Sequence, residues 1–202
     1  MNKPFSAACE RNRDAILAVL QQVVTHKDER LLEIGAGTGQ HAVYFAAQFP
    51  WLDWHPTDVT ANLAGISMWI SEAKLRNVIK PVRLDVKTDD FPKLRFDLVY
   101  TANTFHIMSW KDCKSCMKLM GNRLREGARA VIYGPFKYNG EFTSESNATF
   151  DLALKESDPS SGIRAFEDVN RAMEKNGFEL VEDHEMPAHN RALVYRRLKF
   201  IG

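Results

Sequence analysis

The stretch LLEIGAGTGQHAVYFA, Leu31 to Ala46, limits the folds open to this chain more than any other. A short apolar run meets three glycines at alternate positions, Gly35, Gly37 and Gly39, and then a pattern that reads as a helix from Thr38 to Gln48, ended by Pro50. Glycine reaches positive φ without a steric penalty and lets the backbone come close to a ligand. A strand that turns so sharply into a helix is the opening unit of a layered α/β sheet, and it leaves the free N–H groups of a helix start at the carboxyl edge of the strand.

The rest of the chain fits that beginning. DAILAVLQQVV places Ile16, Val19, Leu20 and Val23 at helical spacing ahead of the first strand, RLLEIG. Strand-like and helical runs then alternate: LDWHPTD, LAGISMWISEAKL, KPVRLDV, RFDLVYTAN, WKDCKSCMKLMGNRL and GARAVIYGPF. Such alternation predicts a Rossmann-like, doubly wound α/β sheet with helices on both faces. After the helix AFEDVNRAMEKNG, the runs FELVEDHEMPA and NRALVYRRLKF flank a turn at Pro187 to Asn190, which predicts a C-terminal antiparallel hairpin. A single domain over residues 1–202 is expected, with residues 1–29 as an N-terminal cap helix; a hydrophobic content of 45% suffices for its core.

Charge and cysteine usage narrow the partners. Twenty-seven Lys and Arg oppose twenty-six Asp and Glu, without a basic stripe, so neither nucleic acid nor a membrane is an expected partner. The sequence shows no leader and no membrane-length apolar run, and its three cysteines are an odd number, so a cytoplasmic location is expected. Cys113 and Cys116 form a CxxC without a second pair, which predicts structural thiols and no metal site.

The glycine spacing selects among nucleotide-binding turns. The dinucleotide fingerprint needs a glycine three positions after Gly37, where Gln40 stands, so a nicotinamide-dependent oxidoreductase is the less favoured reading. Asp58 ends the second strand nineteen residues after Gly39, near the roughly 20-residue spacing at which a carboxylate accepts from ribose hydroxyls. The long connection 134–164 reads as a substrate-side insert or lid, because structureless connections of that length are uncommon unless functional. Tyr133, Phe136, Tyr138, Phe142, Asn147, Phe150 and Arg164 are its candidate substrate-binding residues, with Arg164 pointing to an acidic group on the substrate. The plainer alternative is a surface helix from Ser144 to Lys155 with a hinge at Asn139 and Gly140.

LEIGAGTG, with its tighter G-x-G-x-G spacing behind an acid, resembles motif I of the class I S-adenosylmethionine-dependent methyltransferases. The resemblance implies a seven-stranded, mostly parallel sheet and a turn from Gly35 through Ala36 and Gly37 to Gly39 that cradles the amino-acid and ribose parts of S-adenosyl-L-methionine. It further implies that Glu33 fixes that turn, that Asp85 meets the adenine amino group and that Val86 offers a backbone N–H. ACERNRDAIL, GTGQHAVYFA, HPTDV, TANTFHIMSW, YGPFKYNGEFTSESNATFD and GIR together are similar to the methyltransferase-like protein 26 family, over nearly the whole chain. That likeness adds Arg11 and Asn12 as contacts to the cofactor carboxylate, although Ala165 stands where an acid is expected after GIR. The transferable methyl should lie above the end of the fourth strand, which makes Asn103 and His106 the candidate catalytic residues, His106 as general base or as packing over the cofactor. ANTF lacks the prolines of the amino-methylases of nucleic acids, which again points to a small-molecule acceptor. The expected activity is in-line methyl transfer, with a catalytically silent cofactor-binding regulator as the alternative.

Overall fold

A computed structural model describes residues 2–199. Helix α1 (Ala7–Val23) leads into strand β1 (Arg30–Ile34), α2 (Gln40–Ala46), β2 (Asp53–Asp58), α3 (Thr60–Ala73) and the two-residue β3 (Val82–Arg83). Then come β4 (Leu98–Ala102), α4 (Trp110–Arg123), β5 (Arg129–Gly134), β6 (Phe136–Tyr138), β7 (Glu141–Phe142), α5 (Glu145–Ser157), β8 (Arg164–Ala165) and α6 (Phe166–Lys175). The chain closes with β9 (Phe178–Met186), a 3-10 turn (Pro187–His189) and β10 (Asn190–Arg197).

Seven strands form one sheet in the order β3-β2-β1-β4-β5-β10-β9. The first five run parallel, while β10 pairs antiparallel with both β5 and β9, as the hairpin reading requires. The central strands are buried on both faces, so their apolar residues divide by alternation. On β1, Leu32 and Ile34 join the cluster beneath α4 and α6, whereas Leu31 joins the cluster beneath α1 and α2. Cys113 and Cys116 belong to the first cluster as buried free thiols, and burial pushes Cys113 up to about 12.

Two elements depart from the sequence expectation. KPVRLDV yields only two strand residues, because Val82 and Arg83 lie at the exposed sheet edge. The connection 134–164 contains β6 and β7, which with β8 build a separate three-stranded sheet in the order β7-β6-β8, followed by the capped helix α5. No helix among the described residues is long and apolar enough to cross a membrane.

From β1 the chain winds outward to β2 and β3 and then returns to β4 on the other side of β1. The loops after β1 and β4 therefore leave the sheet in opposite directions. A crevice opens at their carboxyl ends, the position where open α/β sheets bind ligands.

Candidate active site

That crevice is a cleft of about 1180 Å³. Gly35, Ala36 and Gly37 form its floor after β1. Gly35 and Ala36 both donate N–H bonds to the Thr57 carbonyl at 3.0 Å, tying the turn to the end of β2. All three glycines have positive φ, yet they serve different ends. A Cβ on Gly35 would come 2.7 Å from Thr104 Oγ1, so the missing side chain lets the β4 loop approach. A Cβ on Gly37 would meet nothing within 4 Å and would project into open cleft. Gly39 caps α2, where a Cβ would stand 2.9 Å from the Ile66 Cα of α3. Gly39 thus serves helix packing and does not line the cleft, contrary to the sequence expectation.

Asp58 lines the next wall. Its Oδ2 accepts from Gly37 N at 2.6 Å, while Oδ1 accepts from Val59 N and Asn62 Nδ2 at 2.7 and 2.9 Å. The carboxylate is held rigidly, and each oxygen of such a group has lone-pair capacity for about two donors, so Oδ2 retains room for a ligand hydroxyl. Asp85 and Val86 follow β3. One Asp85 oxygen accepts from Lys87 N at 3.0 Å, and the Val86 N–H has no hydrogen-bond partner among the described residues. A free acceptor beside a free donor matches the amino and ring-nitrogen edge of adenine.

Glu33, expected to steady the turn, occupies a different place. Strand alternation turns it toward the α2 side of the sheet, where it is buried and accepts from Trp54 Nε1 at 2.7 Å. Burial raises its carboxyl to about 8, outweighing that hydrogen bond. Its side chain does not line the cleft.

Helix α1 roofs the crevice with Cys9, Arg11 and Asn12. Asn12 Oδ1 lies 2.9 Å from His41 Nε2, and His41 Nδ1 lies 3.1 Å from the Tyr100 hydroxyl. Burial lowers His41 to about 4, so the imidazole is neutral. The amide oxygen can only accept, which assigns the proton to Nε2 and leaves Nδ1 to accept from Tyr100. This buried chain fixes Asn12 over the glycine turn. Sequence reasoning passed over His41 and Tyr100, since each reads as an ordinary core residue of an apolar run.

The far half of the cleft is built by the loop after β4, the end of β5, α5 and the hairpin tip. Asn103 adopts φ +57, a conformation that asparagine tolerates better than most side chains. Its N–H donates to the Tyr133 carbonyl at 2.9 Å, which leaves the amide side chain facing the cleft beside Gly134. His106 is buried next to it, and its ring meets Phe150 edge to face at 5.2 Å between centroids. Burial first, and the Arg164 charge second, lower His106 to about 4. Of the candidate substrate residues, Tyr133, Asn147 and Phe150 line this half of the cleft, joined by the hairpin-tip residues Pro187, Ala188 and Asn190. The tip is anchored by Asn147, whose Nδ2 donates to the His189 carbonyl at 3.1 Å.

Four expected substrate residues lie elsewhere. Tyr138 stacks on Phe166 at 4.9 Å and donates its hydroxyl to Asp183 Oδ2 at 2.8 Å. Phe136 is spent in the core cluster under α6. Phe142 sits on the small sheet under Lys137. Arg164 donates to the carbonyls of Phe105, Met108 and Ser160, so its guanidinium clamps the β4 loop and is not free for an acidic substrate.

Residues 3–197 match the family described as protein of unknown function (DUF938). The chain belongs to the DUF938 family. This DUF938 protein is similar in structure to SibL, an S-adenosylmethionine-dependent methyltransferase in its apo form, with TM-score 0.80 and 21% identity over 96% of this chain and 56% of that one. It is also similar to an O-methyltransferase family 2 protein from Planctomyces limnophilus in complex with apigenin, with TM-score 0.76 and 16% identity over 92% and 62% of the two chains. A third similar structure is PigF with SAH, with TM-score 0.78 and 15% identity over 90% and 55%. At these identities the likeness concerns the fold. The DUF938 chain spans between 55% and 62% of the length of these three proteins.

Proposed function

We propose that this DUF938 protein is an S-adenosylmethionine-dependent methyltransferase acting on a small molecule. The observation that carries the reading is the run of open positions along one wall: a side-chain-free Gly37, a hydrogen-bonded Asp58, and the free Asp85 oxygen beside the Val86 N–H. These fit the homocysteine, ribose and adenine of such a cofactor in that order, and Arg11 and Asn12 on α1 fit its carboxylate. A cleft of about 1180 Å³ exceeds the roughly 300–1,000 Å³ of a typical single-ligand pocket and leaves space for an acceptor. The fold likeness to S-adenosylmethionine-dependent methyltransferases supports the same assignment, as does the sequence likeness to the methyltransferase-like protein 26 group.

When bound, the cofactor would supply an electrophilic methyl on sulfur for in-line transfer to the acceptor, with the C–S electron pair kept by sulfur. The chain's own residues position and dry the site. Asp58 and the turn hold the adenosyl end, Asn103 orients the acceptor, and neutral His106 receives its proton or directs it to water. Segment 134–164, with α5, covers the acceptor side, and residues 1–29 cap the cofactor side. Free cysteines fit a reducing cytoplasm.

Calorimetric titration with S-adenosylmethionine and SAH, joined to a screen of metabolite extracts for methylated product, tests the proposal. Saturable binding with product formation supports it. Binding without product in repeated screens would favour a silent regulator, and absence of binding would end the assignment.

A further inference from the structure

The cleft is charged unevenly. Six charged side chains line it: Arg11, Asp58, Asp85, Lys87, Asp112 and Asp158. Arg11 comes from α1, and Asp58 and Asp85 from the wall assigned to the cofactor. Lys87 stands two residues after Asp85 and lies 3.6 Å from Asp112, and Asp158 is exposed beyond the end of α5. Every residue that the end of β5, α5 and the hairpin tip contribute to the lining is uncharged, as are Asn103, His106 and Ile107. The one cation that sequence assigned to the acceptor, Arg164, is occupied by three carbonyls.

The surfaces of that half are apolar or weakly polar. Phe150 stays 41% exposed, standing edge to face against His106, and Ile107 stays 60% exposed at the lip. Apolar side chains exposed together in one concavity mark a ligand-binding groove. Two polar groups converge at the bottom. A Cβ on Gly134 would stand 3.6 Å from His106 Nδ1 and 3.9 Å from Asn103 Oδ1, so the absent side chain leaves both atoms accessible around one point. Neither side chain has a hydrogen-bond partner among the described residues, although His106 is 95% buried by its 5% exposure. Two unpartnered polar atoms that reach one accessible point in a cleft can both meet the same ligand atom, which marks that point as the seat of a ligand's polar group.

We infer that the acceptor is an uncharged molecule with a flat apolar body lying against Phe150 and Ile107, and one hydroxyl-type group placed between Asn103 and His106. The inference rests on the methyltransferase reading for the identity of the other ligand, but the slot itself is a property of this half of the cleft. A carboxylate or ammonium on the acceptor body would lose water against the uncharged side chains of this half, a penalty that a neutral body avoids. His106, lowered to about 4 by burial first and by the Arg164 charge second, adds no charge of its own to that corner at physiological pH.

The test is calorimetric titration of the SAH-loaded protein with three probes that share one naphthol body: 2-naphthol, 6-hydroxy-2-naphthoate and 6-(aminomethyl)-2-naphthol. The expected result is saturable binding of 2-naphthol, about tenfold or more tighter than either charged probe, and a similar loss for 2-naphthol in Phe150→Ala with SAH affinity unchanged. Equal or tighter binding of a charged probe, or binding of none of the three, overturns the inference. Failure of SAH itself to bind would strike the methyltransferase reading instead, and the same three probes on the unloaded chain then decide the slot by the same order of affinities.

Discussion

Two glycines separate backbone strain from ligand binding. Gly37 and Gly127 both have positive φ, +60 and +80, and a Cβ on either would meet nothing within 4 Å. Alanine at each site carries the same kind of penalty, the left-handed conformation of an L-residue, about 1–2 kcal/mol. For a domain of 150–250 residues that is a fall in Tm of about 2–8 °C, at about 2–4 °C per kcal/mol. The two sites differ in what lies beyond the Cβ. Gly127 precedes β5 at the amino end of the sheet, bonded to the Arg197 carbonyl at 2.9 Å. Gly37 faces the cleft, and its N–H is held on Asp58 at 2.6 Å. A methyl there occupies the space assigned to the homocysteine and ribose, costing at least about 1.4 kcal/mol of binding, or tenfold in Kd. Scanning calorimetry and SAH titration of both variants form the assay. Similar drops in Tm with a loss of affinity confined to Gly37→Ala are expected. Wild-type SAH affinity in Gly37→Ala, or equal loss in both, refutes the assignment of the turn.

Further outcomes follow from single contacts. Asp85→Ala should weaken SAH about tenfold and erase the preference for adenine over a hypoxanthine analogue, read by competition titration. Arg164→Leu should leave the carbonyls of Met108 and Ser160 unpaired and that of Phe105 with only the Cys113 thiol, and lower stability by about 2 kcal/mol or more in urea unfolding, since bonds to a charged donor are worth about 1.5–3 kcal/mol each. Native Glu33 keeps its proton up to about pH 8, while an unfolded glutamate releases it near 4.5. The native state binds more protons in that window, so its stability falls as pH rises through it. Glu33→Gln keeps the bond from Trp54 and removes that slope, so melting curves of the two proteins should converge below pH 4.5 and the variant should melt several degrees higher at pH 8.

Much of the sheet was legible because each signal was local. Alternating apolar runs, the glycine turn and the turn at Pro187 to Asn190 require no knowledge of distant contacts, and all reappear as β1 through β5 and the β9–β10 hairpin. The wall proposed for the cofactor was legible for a related reason: Gly35, Gly37, Asp85 and Val86 follow strands at their carboxyl ends, Asp58 closes β2, and strand order gathers them along one cleft. What sequence hid were orientations. Glu33 is two residues before Gly35, and only the pleat shows that it turns to the α2 side toward Trp54. Gly39 looks like its neighbours until the approach of Ile66 on α3 is known. Phe136, Phe142 and Arg164 were read as a pocket by residue type, whereas the small β7-β6-β8 sheet directs them into the core, the outer surface and the β4 loop. The Asn12–His41–Tyr100 chain joins three elements far apart in sequence, so no spacing pattern announces it.

The most direct trial of the central claim is a crystal structure with SAH. Adenine against Asp85 and Val86, ribose hydroxyls on Asp58, and the homocysteine along Gly35 to Gly37 beneath Arg11 and Asn12 are the expected contacts. SAH seated away from this wall, or the space beyond Gly37 filled by the protein's own side chains, would contradict it.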